Sequence, residues 1–406
     1  MQRRVRTTVV VDGFEREVEI EVPEGPPVSW GDPKQLRLLG KRHPRVDGPA
    51  KVTGQAKYTA DIRLPGMLYG RILRSPYAAA VIERPEDVDL SGVARIPGAV
   101  AISLVTGRTS IRFAGQEVAA VAAPTPELAE DALRAIKVRY TLQPFVVSEE
   151  KAVQPNAPLV RPDIPGNVFR ANRGEPQQRG ENVDAAFANA KATSEGTYTA
   201  QTRLHCCLET HGHVCKWDGD RLTVWASTQA VHGTADGFAA IAGGREKVRV
   251  ICEYMGGGFG SKFGPNVEGR VCAELARRAN RPVKLMLTRW DEQVMNFRGP
   301  GITTRVRMAA DASGRITGAI HHSRVMGGTA SSPDTPLSRS GFYIIEPAAY
   351  RWTSEAVLTN TGGTAALRAP GHPQVSWVWE SAIDDLAAAL PPPRRQPVIV
   401  LPLGHW

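Results

Sequence analysis

A chain of 406 residues, 42% hydrophobic and 22% charged, has the size and composition of a globular protein of two or three domains. Its 50 Lys and Arg against 41 Asp and Glu leave a net charge of +9. The basic residues stand singly rather than in stripes with interleaved aromatics, which argues against a nucleic-acid partner and suits an anionic cofactor or an acidic partner subunit. No apolar run approaches the ~20 residues of a membrane span. The first residues lack the apolar core of a secretory signal, and the five cysteines, Cys206, Cys207, Cys215, Cys252 and Cys272, make no disulfide framework. A cytoplasmic location is therefore expected, with the periplasm reached only by co-export with a partner.

In chain order, residues 5–22 alternate apolar and polar on both sides of Asp12-Gly13 and predict a hairpin, followed by a linker to residue 35. Residues 36–82 are short runs broken by Pro and Gly, which predicts β-rich structure. A strand over 116–123 leads to a helix over 125–136, with Thr125 at its cap and Pro126 at its first position, and a strand over 137–142 follows. An α+β first domain over 36–150 results. Residues 151–180, rich in Pro, Asn, Gly and Gln, predict a linker to a second domain over 181–390. That domain opens with a helix over 184–191, strands over 196–203 and 221–226, and a helix over 233–242. Alternation of Val248, Val250, Cys252 and Tyr254 predicts a strand, and Val267, Val271, Leu275 and Ala279 predict a helix capped by Asn266. Further strands are expected over 282–287, 303–308 and 315–324, then a helix over 374–390 with Val375, Trp379, Ile383, Leu386 and Leu390 on one face. Residues 391–406 continue none of these patterns.

Between that strand and helix the side chains vanish at Gly256, Gly257, Gly258 and Gly260. A strand, glycine turn and helix can offer free amides and a positive helix end to an anion. Neither G-x-G-x-x-G nor the P-loop pattern fits any register of the run, so a purely structural turn stands beside the ligand reading. The segment HCCLETHGHVC, residues 205–215, places His205, Cys207, Glu209, His211, His213 and Cys215 at odd positions, so on a strand they would share a face. Zinc takes such ligands, but the spacing is not that of a structural zinc site, and a strand lining a pocket is the competing reading. Gln229 comes just after the aromatic strand end LTVWA, in Ser227-Thr228-Gln229, where a glutamine ordinarily serves loop hydrogen bonds. Arg368 sits in a Pro/Gly-rich loop, where a guanidinium can reach an anion or a carbonyl or form a surface ion pair. There is no G-x-S-x-G, no H-E-x-x-H and no carboxylate pair.

These stretches fall into a family pattern. GKRHPRVDGPAKVTGQAKYTADIRLPGMLYGRILRSPYAAA (40–80) and FAGQEVAAVAAPTPELAEDALRAIKVRY (113–140) resemble the entry and end of the α/β hammerhead domain of the xanthine dehydrogenase and aldehyde oxidase family of molybdenum hydroxylases. WASTQ, GGGFGSK and ALRAPGHPQ resemble three cofactor-contacting motifs of the family's next domain, in the same order. The resemblance implies an α+β fold in which the hammerhead precedes an incomplete molybdopterin-binding domain. It implies that Gln229 hydrogen-bonds an oxo ligand on molybdenum, that Gly257, Gly258, Phe259 and Gly260 bring amides to the pterin, and that Arg368 lines the cofactor or substrate side. It further implies hydroxylation of aldehydes or N-heterocycles with oxygen from water, a molybdenum–molybdopterin cofactor that could be the cytosine dinucleotide, and electron transfer to separate iron–sulfur (2Fe-2S) and FAD subunits. In relatives the segment matching 205–215 is a metal-free strand, which lowers the zinc reading.

Two departures bear on activity. Phe263 stands where purine-oxidising members carry a glutamate, which implies an apolar or aromatic aldehyde, with Phe263 and Pro370 in the substrate pocket. The family's subunit is longer, and its general-base glutamate lies in the C-terminal part. A truncated subunit, inactive alone, with no catalytic and no metal-ligating side chain of its own and a non-homologous tail at 391–406, is therefore the expectation. The alternatives are a non-catalytic assembly or binding module, and a zinc protein through residues 205–215.

Overall fold

The computed structural model describes residues 2–11, 14–23, 32–170, 175–296, 298–329 and 347–390. The chain divides into two compact units, Met1–Ala56 and Lys57–Trp406. In the first, β1 (Gln2–Val11) and β2 (Phe14–Pro23) pair antiparallel with Val11 opposite Phe14, the register expected of a hairpin. The turn residues Asp12 and Gly13 lie outside the described residues. A short helix, α1 (Gly48–Val52), carries Pro49 in its first turn, where a missing N–H costs nothing.

The second unit begins with β3 (Leu68–Arg74), β4 (Ala80–Ile82), β5 (Val88–Asp89), β6 (Val100–Ser103), β7 (Thr109–Ile111) and β8 (Glu117–Ala123). Helix α2 (Pro126–Ala135) follows, and the Thr125 hydroxyl accepts the Leu128 N–H at 3.2 Å, as the sequence predicts. Then come β9 (Lys137–Val138), β10 (Thr141–Leu142), α3 (Glu149–Ala152), β11 (Val168–Arg170), β12 (Gln177–Gly180), α4 (Val183–Ala188) and β13 (Ala192–Ala200). The chain continues through β14 (Gly212–Asp218), β15 (Arg221–Ala226), α5 (Val231–Ala242), β16 (Val248–Ile251), α6 (Asn266–Ala279), β17 (Val283–Met286) and α7 (Arg289–Val294). It ends, among the described residues, with β18 (Ile302–Ala310), β19 (Ile316–Gly328), β20 (Ala349–Leu358) and α8 (His372–Ala389).

One seven-stranded sheet, ordered β16-β15-β14-β17-β3-β8-β6, joins strands from both sides of residue 150. Strand β8 explains why its sequence, EVAAVAA, reads as an unbroken apolar run. Ala119, Val121 and Ala123 pack in the core that holds α2, while Ala120 and Ala122 pack in the core that holds α5 and α6. A strand covered on both faces has no polar side to present. A second sheet, β11-β20-β19-β18-β13 with β12 also on β20, is covered by α8. The predicted face of that helix, Val375, Trp379, Ile383, Leu386 and Leu390, is buried against Ile302, Val306, Met308 and Tyr350. Each such side chain contributes about 1.5–3 kcal/mol of transfer free energy.

Three local expectations are corrected. Residues 205–211 are irregular and β14 starts only at Gly212, so the shared face inferred for 205–215 does not exist. Strand β16 ends at Ile251, because the chain must leave the sheet to build the glycine turn. Asn266 is not the cap of α6. Pro265 holds that position, and the Asn266 amide, on a residue with φ +48°, donates to Ser261 O at 3.2 Å and to Glu268 Oε1 at 3.1 Å. The tail at 391–406 lies outside the described residues.

Candidate cofactor site

Strand β16 delivers the chain into the turn at 252–265, and each glycine of the run meets a different neighbour. A Cβ on Gly256 would fall 2.4 Å from Glu209 Cβ, and one on Gly257 would fall 2.9 Å from the Phe259 ring and 3.6 Å from Cys207 Cβ. A Cβ on Gly258 would lie 2.6 Å from Gln229 Oε1, and one on Gly260 would lie 2.3 Å from the Ala366 carbonyl oxygen. Real Cβ atoms do not tolerate such distances. The turn is therefore threaded between residues 205–209, residues 227–229 and residues 366–370, and only bare backbone passes.

Gln229 follows the end of β15, and its side-chain oxygen accepts from Gly260 N at 2.8 Å and Lys262 N at 3.4 Å. Holding Oε1 against the turn leaves the Nε2 hydrogens to point away from it, at an exposed position. Arg368 joins through its backbone, whose N–H donates to Phe259 O at 2.8 Å. The Arg368 side chain, like Pro370, is exposed, and among the described residues it forms no ion pair. Phe259 and Phe263 also present aromatic surface to solvent, at 41% and 54% exposure. The Phe263 backbone lies over the first turn of α5, 3.4 Å from where a Gly233 Cβ would stand. The structure thus brings together Gln229, Gly257, Gly258, Phe259, Gly260 and Arg368, with Phe263 farther along the same turn and Pro370 in the same loop as Arg368.

Sequence reasoning offered Glu209 and His211 only as candidate ligands and did not anticipate which groups hold these segments. The Glu209 carboxylate accepts from Gly256 N at 2.9 Å, from Ser227 Oγ at 2.8 Å and from Ala60 N at 3.3 Å. Lys262 is 1% exposed, and its ammonium donates to Ser227 Oγ at 2.6 Å and Glu209 O at 2.8 Å. Burial pushes the Lys262 pKa below its ordinary value. His211 is equally buried, with Nδ1 2.7 Å from Glu292 Oε1 and Nε2 3.3 Å from Ser261 O. Burial would raise the Glu292 carboxyl, but hydrogen bonds from His211 outweigh it and hold it below its ordinary value. The presence of Lys in a glycine turn and Glu in a polar run was visible; the burial of Lys262 and the contacts of Glu209 were not.

The zinc alternative loses its ligand set. The Cys207 thiol turns to Gly258 O at 3.7 Å, Cys215 is sealed in the core, Cys206 is exposed, and the His213 ring packs edge-on against Phe238. Burial pushes His213 down to about 3, so the ring is neutral. Among the described residues no three His, Cys, Asp or Glu side chains converge to hold a metal.

The irregular amide-lined turn, the glutamine after β15 and the Arg loop in one α+β unit fit a cofactor-binding domain, and residues 160–394 match the family model described as molybdopterin cofactor-binding domain. The chain is 30% identical over 377 residues to the aldehyde oxidoreductase molybdenum-binding subunit PaoC of Escherichia coli K12, covering 87% of this chain and 49% of that one. It is also 30% identical over 385 residues to the nicotinate dehydrogenase large molybdopterin subunit of Eubacterium barkeri, covering 88% and 87%. The crystal structure of the aldehyde oxidoreductase from Desulfovibrio desulfuricans superposes with a TM-score of 0.75 at 25% identity, covering 87% of this chain and 42% of that one. The chain belongs to the xanthine dehydrogenase and aldehyde oxidase family of molybdopterin-binding large subunits. It spans about half the length of PaoC and most of the length of the E. barkeri subunit.

The residues present fit that cofactor. Among the described residues no group accepts from the backbone N–H of Gly257, Gly258 or Phe259, so three adjacent amides remain available beside Gln229 Nε2. A molybdopterin carries the ring heteroatoms and phosphate oxygens that such donors recognise.

Proposed function

We propose that this chain is the molybdenum-cofactor subunit of a hydroxylase acting on aldehydes or N-heterocycles. The observation that carries the reading is the fixed Gln229 amide: its Oε1 accepts from the glycine turn, and among the described residues its Nε2 donates to no group. When bound, the cofactor supplies a two-electron oxidation of a substrate C–H with oxygen from water. Gln229 would donate from Nε2 toward the metal centre, and Gly257, Gly258 and Phe259 would donate backbone N–H groups to the pterin. Gly260 would keep the turn close to the 366–370 loop, and Arg368 would offer its exposed guanidinium to a substrate or cofactor oxygen.

Phe263, with Pro370 on the facing loop, favours an apolar or aromatic aldehyde, because neither side chain could pair with the polar edge of a purine. No residue of this chain is assigned as the base. The cytosine dinucleotide form of the cofactor and partner subunits carrying 2Fe-2S clusters and FAD belong to the same proposal; the names of the relatives, each one subunit of a larger oxidoreductase, support the existence of partner subunits. Residues 36–150 are proposed as the hammerhead, and residues 181–390 as the cofactor domain. A cytoplasmic location belongs to the same proposal, supported by the odd number of cysteines in a large chain. Among the described residues no helix is long and apolar enough to cross a membrane.

The test is isolation of the complex through a tag on this chain, with its molybdenum and pterin contents measured. The complex is then given benzaldehyde in water enriched in oxygen-18. Near-stoichiometric molybdenum and one labelled oxygen in the carboxylate product are expected. A molybdenum-free complex, or product oxygen from another source, overturns the proposal.

A further inference from the structure

Lys262 engages every residue of the Ser227-Thr228-Gln229 turn. Its ammonium donates to Ser227 Oγ at 2.6 Å, and its backbone oxygen accepts from Thr228 Oγ1 at 3.0 Å and from Gln229 N at 3.0 Å. Its backbone N–H donates to Gln229 Oε1 at 3.4 Å. The ammonium also reaches Glu209 O at 2.8 Å and Thr210 O at 3.5 Å, so its three donors meet only oxygens. The remaining link is the Ser227 hydroxyl, which accepts from Lys262 and donates to Glu209 Oε2 at 2.8 Å. That same carboxylate oxygen accepts Gly256 N at 2.9 Å, at the start of the glycine run. A buried cation and a carboxylate are thus joined through one hydroxyl. The chain of contacts runs from the first glycine of the turn to the amide of Gln229.

We infer that Lys262, Ser227 and Glu209 form a charge-bridged clamp that positions Gln229 and the 256–260 amides for the cofactor. Lys262 and Glu209 are positioning residues, since they act through Gln229 and the turn rather than on the cofactor. A lone lysine in this place would be costly to bury, and the carboxylate reached through Ser227 offsets that cost. Removing either charge strands the other, whereas removing both with shape retained leaves the contacts near neutral. The inference rests on the cofactor reading for its purpose, but its geometry can be tested without the cofactor.

The experiment compares wild type, Lys262→Met, Ser227→Ala and Glu209→Gln/Lys262→Met as full chains. Amide hydrogen exchange is followed over residues 254–261 and over α6, and molybdenum content is measured in the tagged complex. Lys262→Met and Ser227→Ala are expected to speed exchange in the turn at least tenfold, with α6 unchanged, and to lose most of the molybdenum. The double variant is expected to recover at least half of both. Parallel acceleration in the turn and α6 would mean ordinary packing loss and overturns the clamp. Wild-type molybdenum in Lys262→Met, or no recovery in the double variant, also overturns it. If wild type itself holds no molybdenum, the cofactor reading fails, while the exchange pattern still decides the clamp.

Discussion

The backbone N–H of Arg368 donates to the carbonyl of Phe259 at 2.8 Å, tying the loop ahead of α8 to the glycine turn ahead of α6. On either side of this bond stand two non-glycine residues in left-handed backbone, Phe259 at φ +52° and Ala369 at φ +55°. Strain of this kind costs about 1–3 kcal/mol per residue and persists only where surrounding contacts enforce it. Its concentration at one junction is a mark of a site built for position.

Gly260→Ala should destabilise the chain and abolish cofactor retention. Gly260 has φ +108°, and its Cβ would meet the Ala366 carbonyl oxygen at 2.3 Å. Strain and overpacking together should cost about 2–6 kcal/mol in urea unfolding. Gly264→Ala is the control, since nothing lies within 4 Å of its Cβ and its backbone needs no positive φ. It should stay within about 0.5 kcal/mol of wild type.

Gln229→Glu should separate the two halves of that side chain. A carboxylate oxygen can still accept from Gly260 N, where Gln229 Oε1 now does at 2.8 Å, but nothing remains to donate. The unfolding midpoint near neutral pH should be preserved, while turnover of the tagged complex falls by about 10²-fold, the usual loss for one donor at a reacting centre. Unchanged turnover would remove Gln229 from the chemistry.

Glu149 should make stability decline with rising pH. Burial raises its carboxyl from 4.5 to about 7, and Oε1 has no hydrogen-bond partner among the described residues. Between pH 4.5 and about 7 the folded chain holds a proton that the unfolded chain has lost, so stability falls across that window. Glu149→Gln should flatten that part of the curve in denaturant titrations run at successive pH values. An unchanged slope would show that Glu149 titrates normally.

Trp379→Ala should cost about 3–5 kcal/mol, because the ring is buried in the core beneath α8 and leaves a large cavity. The ring packs edge-on against His321 at 5.5 Å and Tyr350 at 6.1 Å. Trp377, on the same helix but 52% exposed, should lose under about 0.5 kcal/mol on the same change. Equal unfolding midpoints for the two variants would contradict the orientation of α8.

Several elements were legible because their causes are local. The hairpin pairing of β1 and β2 follows from alternation around Asp12-Gly13, the start of α2 from Thr125-Pro126, and the buried face of α8 from the spacing of Val375, Trp379 and Ile383. The irregular path of 205–211 was not legible, because alternation there counts residues without registering that the chain must bend around the glycine turn. Asn266 was misread as a cap because its amide turns back to Ser261 O, a contact that exists only once the turn has closed.

The glycine run, the glutamine after β15 and the arginine loop were determined by the sequence alone, since each is a short motif whose residue types carry their own chemistry. Only the tertiary structure decided what holds them. Lys262 and Glu209 lie 53 positions apart, and the Ser227 hydroxyl joins their charged groups. Nothing in their local sequence distinguishes a buried ammonium from a solvated one. Burial is a property of what the rest of the chain packs around a residue, and here that packing turns two ordinary charges into the support of the site.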